Sequence, residues 1–201
     1  MRYFFGVYHW QRNLPHLLGT AAGFLAIGLG VLVGGLSGIA LALLGAMVAA
    51  AAANGLGLLF KPSPWAVDHD RFDRLAEHLP FADAGTVVDI GCGTGRSVVG
   101  FATMIPGGAT VLGIDPFDSE IIGGNSPRLA RWNARRAGID LEPVRADGAT
   151  IPLQDDSAEV VTIVQVLHDL PEETARGIVR EAGRICRPDG RVGIIELPLV
   201  N

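Results

Sequence analysis

Residues 86–100 read TVVDIGCGTGRSVVG. A short apolar run ends in Asp89, three glycines follow at alternate positions (Gly91, Gly93, Gly95), and an apolar-periodic stretch resumes after Arg96. β-branched residues bounded by a glycine turn predict a buried strand at Thr86–Ile90, and the stretch from Arg96 to Ile105 predicts a helix. A glycine-rich turn between a strand and a helix lets a ligand approach bare backbone.

Working outward, further strands are predicted at Thr110–Asp115, Leu141–Ala146, Glu159–Leu167 and Arg191–Leu197. Helices are predicted near Asp68–Leu79, Pro127–Ala137 and Glu172–Cys186, the last stopped by Pro188 and Gly190. Strand and helix alternating at this spacing imply a parallel α/β sheet covered on both faces. Such sheets bind ligands at the carboxyl ends of their strands, where the strand order reverses. A nicotinamide-type fingerprint requires glycine at position 96, which is Arg96, and Gly95-Arg96-Ser97 follows Gly91 too closely for a phosphate loop of the Walker type.

The block VVDIGCGTG resembles motif I of the class I S-adenosylmethionine-dependent methyltransferases, and the resemblance runs from about Asp68 to Leu197 with the motifs in order. It implies a Rossmann-like α/β fold, S-adenosylmethionine as cofactor, and a set of cofactor-binding residues. Asp89, Gly91, Cys92, Gly93 and Gly95 form the loop, with Asp89 ordering it and approaching the methionine ammonium. Asp115, 20 residues beyond Gly95 and followed by Pro116, is placed to accept the two ribose hydroxyls. Asp147 and Gly148 resemble the adenine-contacting segment, and Gln165 stands at the fourth strand end. The segment HDLPEE beginning at His168 is similar to the small-molecule and lipid branch, which includes the ubiquinone and menaquinone C-methylating enzymes.

Methyl transfer from a sulfonium needs alignment and exclusion of water, and a base only where the acceptor must lose a proton. His168 is the candidate catalytic base because an imidazole titrates near neutrality, with a loop-holding role as the alternative. Asp169 reads as its orienter or as a helix cap. Arg128, Arg131 and Arg135, with Arg136 beside them, form a basic helix face suited to water or to anionic headgroups. The family sheet has seven strands ending in an antiparallel hairpin, whereas five strands are read here and that C-terminal β-hairpin is missing.

The N-terminal part is of another kind. Leu17–Phe60, 44 residues, contains no Asp, Glu, Lys or Arg. One membrane span takes about 20 apolar residues, and a 44-residue helix would reach roughly 66 Å, so two spans are expected, near 17–33 and 39–60, turning at Gly34–Gly38; the alternative is a cleaved signal peptide, whose apolar region is shorter, about 7 to 15 residues. Arg2 and Arg12 before the spans and Lys61 after them predict that both termini and the α/β part are cytoplasmic. Tyr3, Phe4, Phe5, Tyr8, Trp10 and Trp65 read as side chains at headgroup depth. Small residues four apart (Gly19 and Gly23, Gly30 and Gly34, Ala46 and Ala50) suit close helix approach, within the hairpin or between two copies.

All 21 acidic residues lie beyond Lys61-Pro62-Ser63-Pro64, so a membrane anchor over 1–61 and a cofactor-binding domain over 62–201 are expected. A net charge of −5 gives no sign of nucleic-acid binding. Cys92 and Cys186, the only cysteines, lack metal-type spacing, so neither a metal nor a disulfide is expected. The expected protein is a membrane-anchored S-adenosylmethionine-dependent methyltransferase acting on a lipophilic small molecule or membrane lipid, with room for a homo-oligomer through the membrane helices or the open sheet edge. The alternatives are a non-catalytic cofactor-binding sensor or assembly subunit, and an NAD(P)-dependent oxidoreductase.

Overall fold

The computed structural model describes residues 3–56 and 63–196. The chain divides into a helical unit (residues 7–64 with 120–123) and an α/β unit (residues 1–6, 65–119 and 124–201). The expected boundary at 61/62 and the flanking Arg2 and Lys61 lie outside the described residues.

In the helical unit a two-residue strand, β1 (Val7–Tyr8), leads into α1 (Trp10–Val33) and α2 (Gly35–Leu56). The first helix starts seven residues before the predicted Leu17, because Gln11, Arg12 and Asn13 are polar without being helix breakers. The turn is tighter than expected. Gly34 and Gly35 have φ of 68° and 62°, a left-handed geometry open to glycine, so the chain reverses there. Positions 57–60 of the predicted second helix lie outside the described residues.

Glycine sets how closely α1 and α2 approach. A Cβ on Gly23 would lie 2.6 Å from Ala49 N and Gly45 O, and one on Gly30 would lie 2.6 Å from Gly38 O. The expected small-residue contact therefore forms inside the hairpin through Gly23, Gly30, Gly38, Gly45 and Ala49. Ala46 and Ala50 are exposed on the other side of α2, and Gly34 forms the turn. The outer surface is apolar, including Leu18, Phe24, Leu25, Leu32, Leu36 and Met47.

The α/β unit contains α3 (His69–Ala76), β2 (Thr86–Ile90), α4 (Arg96–Gly100) and β3 (Thr110–Asp115). After the two-residue β4 (Ile122–Gly123), which pairs antiparallel with β1 inside the helical unit, come α5 (Pro127–Arg136), β5 (Leu141–Arg145), β6 (Ala158–Val164), α6 (Glu172–Ile185) and β7 (Cys186–Ile195). The main sheet has the order β5-β3-β2-β6-β7, with every pair parallel. Side chains alternate across it. Val87, Val111 and Val160 join Phe72, Val98, Phe101 and Ala134 of the α3, α4 and α5 layer, while Val88, Ile114 and Ile163 meet Ile178 and Ile185 of α6.

Strands β2 and β3 fall where the sequence places them. The last strand differs: α6 runs directly into β7, whose residues 187–190 form a bulge between the pairs Ala158↔Cys186 and Val160↔Arg191. Pro188 and Gly190 therefore sit in the bulge, where the ladder needs no proline N–H. Leu197, the predicted strand end, lies outside the described residues. The strand order reverses about β2, which has β3 on one side and β6 on the other.

Candidate cofactor site

The crevice is built from the end of β2. Gly91, Gly93 and Gly95 have φ of 72°, 50° and 83°. Gly91 N–H and Cys92 N–H both donate to Ile114 O (2.7 and 3.2 Å), so the loop folds back over β3. A Cβ at Gly91 would collide with the Val166 side chain, and one at Gly95 would lie 3.0 Å from Ala130 O. These glycines answer both a conformational and a steric demand.

Asp89 and Asp115 divide the support of this loop. Asp89 is 2% exposed; Ser97 Oγ donates to its Oδ2 and Thr162 Oγ1 to its Oδ1 (2.7 Å). Burial pushes its carboxyl up to about 6, against the lowering effect of those two hydroxyls. Asp89 thus ties β2 to α4 and β6. Asp115 Oδ2 accepts from Gly93 N–H (2.9 Å), while Oδ1 accepts from Phe117 N–H (2.7 Å) and Asn125 Nδ2 (3.0 Å). Burial raises the Asp115 carboxyl above the ordinary range, and the same hydrogen bonds oppose the rise.

Cys92 turns its thiol inward, away from the crevice. Its Sγ fits against Gly113, where a Cβ would lie 2.7 Å from the sulfur, and burial pushes the thiol well up. Pro116 is exposed, and its carbonyl accepts from Arg145. Asp147 is exposed and accepts from Ala149 N–H (2.9 Å), an Asx turn, while Gly148 packs on Ile90 and Ile178. Gln165 carries a φ of 54° and donates its N–H to Ile195 O (2.7 Å), marking a strained turn where β6 ends.

His168 lies just beyond that turn. Its Nδ1 is 2.7 Å from Glu196 Oε2, and its Nε2 is 3.5 Å from Asp169 Oδ2. Glu196 Oε1 also accepts the N–H groups of Val166 (2.9 Å) and Leu167 (2.7 Å). Glu196 therefore fixes both the histidine and the turn that reaches Gly91 through Val166.

Four contributors escape the sequence reading: Glu196, Asn125, Phe117 and Asn133, whose Nδ2 donates to Thr94 O of the loop. Only the position of Glu196 at a fifth strand end could have pointed to it. Asn125 is notable because its Oδ1 is buried without a hydrogen-bond partner among the described residues, beside Asp115. The arginines of α5 are partly engaged: Arg136 stacks on Trp132 at 4.1 Å, and Arg131 Nε reaches Leu141 O at 3.4 Å.

Residues 87–190, just over half of the chain, match the family model described as a methyltransferase domain. The chain belongs to the methyltransferase domain family. A match of this extent, over the glycine loop and the strands β3, β5 and β6 that follow it, sets aside the dinucleotide oxidoreductase alternative.

Among relatives of this family member, 27-O-demethylrifamycin SV methyltransferase of Amycolatopsis mediterranei (strain S699) is 32% identical over 130 residues, 64% of this chain and 44% of that enzyme. Demethylmenaquinone methyltransferase of Lactobacillus johnsonii is 28% identical over 109 residues, 54% of this chain and 42% of that enzyme. The matched stretch thus spans less than half the length of either relative. The crystal structure of the [4+2]-cyclase SpnF superposes with a TM-score of 0.52 at 22% identity, covering 64% of this chain and 44% of that one. That likeness is one of fold alone, and the name shows that the fold by itself does not fix a reaction.

The residues present fit S-adenosylmethionine, the cofactor of this methyltransferase class. The Gly91 position has no room for a side chain, and Asp115 has acceptor capacity left on Oδ2. The buried, unpartnered Asn125 Oδ1 supplies a further acceptor at the same place.

Proposed function

We propose that the protein is a membrane-anchored methyltransferase using S-adenosylmethionine, acting on a lipophilic small molecule or membrane lipid at the cytoplasmic face. The observation that carries the membrane part is the exposure of the hairpin: the most apolar windows of α1 and α2 are only 11% and 17% buried. A core helix of a soluble protein would be mostly buried. Helices of 24 and 22 residues reach about 36 and 33 Å, enough for a hydrocarbon layer of about 30 Å.

The α/β unit supports two crossings. Phe5, before α1, is fully buried beside Thr94, so the chain on either side of the hairpin lies in one compartment. An even number of crossings meets that requirement. The same burial removes Phe5 from the headgroup role expected of it.

In the proposed site, Gly91, Gly93 and Gly95 offer bare backbone to the methionine and ribose parts, and Asp115 with Asn125 accepts ribose hydroxyls. Gly148 and Gln165 line the adenine side with Asp147, and Pro116 borders the ribose side. When bound, the cofactor supplies an electrophilic methyl group on a sulfonium. His168 is assigned to remove a proton from an acceptor that needs it, with Nδ1–H donated to Glu196 and Nε2, which has Asp169 Oδ2 at 3.5 Å, as the basic atom. Glu196 thereby sets the tautomer. Tethering raises the effective concentration of acceptors confined to the bilayer, and quinone-type acceptors suit the relative that methylates demethylmenaquinone.

The test is transfer of labelled methyl from S-adenosylmethionine to lipids extracted from the native membrane, using the full chain in nanodiscs. Label in the lipid fraction supports the proposal. Cofactor binding with no transfer to any lipid fraction contradicts it and supports the sensor or assembly reading.

A further inference from the structure

The aromatic residues ahead of the hairpin are built into the outer side of the cofactor loop. Asn133, fully buried on α5, uses all the hydrogen-bonding capacity that the contact needs: its Oδ1 accepts from Phe4 N–H (3.0 Å), and its Nδ2 donates to Phe4 O (2.7 Å) and to Thr94 O (2.9 Å). Thr94, 1% exposed, returns a bond from Oγ1 to Phe5 O (3.0 Å). Arg96, the residue that departs from the dinucleotide fingerprint, stacks its guanidinium over the Phe5 ring at 4.5 Å and donates to Ala66 O (2.6 Å). Tyr3 stacks in turn on Phe5, with ring centroids 5.6 Å apart.

Thr94 is the central residue between Gly93, held from inside by Asp115, and Gly95 with its φ of 83°. A loop with three positive-φ glycines has many alternatives to its ligand-binding shape, and each ordered residue costs backbone entropy. A clamp on Thr94 meets part of that cost before a ligand arrives, which raises the apparent affinity.

We infer that Tyr3–Phe5, Asn133 and Arg96 form a positioning clamp for the cofactor loop, so that cofactor affinity depends on a segment separated from the loop by the whole membrane hairpin. This rests on the cofactor reading given above. By linkage the dependence is reciprocal: a bound cofactor tightens docking of the segment by the same factor.

The experiment uses the full chain in nanodiscs with S-adenosylhomocysteine as probe. Phe5→Ala and Asn133→Asp, the second placing an acceptor where two donors stood, are expected to weaken calorimetric affinity by about 10-fold at a temperature where the variant is still folded, and to lower the unliganded melting temperature because both side chains are buried. Hydrogen exchange on the unaltered chain reads the reciprocal effect. Saturating S-adenosylhomocysteine is expected to slow exchange of the Phe4 amide by a similar factor, which a merely structural contact would not show. That arm needs no substitution and decides the matter even if a variant fails to fold. Affinities within about twofold of the unaltered chain, with Phe4 exchange indifferent to the ligand, would overturn the clamp. Failure of the unaltered chain to bind the probe at all would instead overturn the cofactor reading itself.

Discussion

The two units of this protein use glycine for opposite purposes and turn their apolar side chains in opposite directions. In the hairpin, Gly23, Gly30, Gly38 and Gly45 sit in helices and matter because they lack volume, letting two backbones touch. In the cofactor loop, Gly91 and Gly95 matter for positive φ as well. Leu32 and Leu36 of the hairpin are 83% and 87% exposed, whereas Val88 and Ile163 of the sheet are fully buried. One unit thus encloses its apolar side chains in a packed core, whereas the other carries them on its surface.

The sharpest way to break this contrast is at the loop. Gly91→Ala meets both the Val166 side chain and an unfavourable φ, so S-adenosylhomocysteine affinity should fall by about 100-fold, roughly 3 kcal/mol, in calorimetry. Retained affinity would remove Gly91 from the site. Within the same unit, His168→Gln should lower kcat by about 100-fold and leave cofactor affinity unchanged, once a methyl acceptor is in hand. Equal loss of both would make His168 a loop-holding residue only.

The hairpin offers a matched pair. Gly23→Leu should destabilise the helix pair by on the order of 2 kcal/mol in detergent unfolding, because its side chain would enter the α2 backbone. Gly28→Leu, with nothing within 4 Å of its Cβ, should be neutral. Equal effects would mean that the small-residue seam does not join α1 to α2. The smallest effect concerns pH. Asp89 has a folded value of about 6 against an ordinary 3.8, so the folded state binds its proton more tightly and stability from this group is lost as pH rises through about 6. Asp89→Asn should flatten a stability change of about 1 kcal/mol between about pH 5 and pH 7, read from urea midpoints. An unchanged slope would assign the pH dependence elsewhere.

Much of the sheet was legible because parallel strands buried on both faces read as short apolar runs, and Asp89 and Asp115 punctuate two of them at their carboxyl ends. The loop was legible because positive φ together with close neighbours at Gly91 and Gly95 calls for glycine. What could not be read was long-range pairing. Asn133 stands among arginines on α5, and nothing local distinguishes it from a solvated polar residue, yet it meets Phe4 across 129 positions. Aromatic residues beside an apolar run fit headgroups as well as a protein interior, so the destination of Phe5 was invisible. Glu196 acts on residues some 30 positions away, and its role depends on β7 lying beside β6. The helix α1 begins at Trp10, before the apolar run that starts at Leu17, because helicity does not require an apolar residue at every position.

The most direct test of the central claim is calorimetric titration of the full chain in nanodiscs with S-adenosylmethionine and S-adenosylhomocysteine. Saturable one-to-one binding of both is expected, lost in Gly91→Ala and retained in Gly23→Leu. Absence of binding to either ligand by the unaltered chain would contradict the claim.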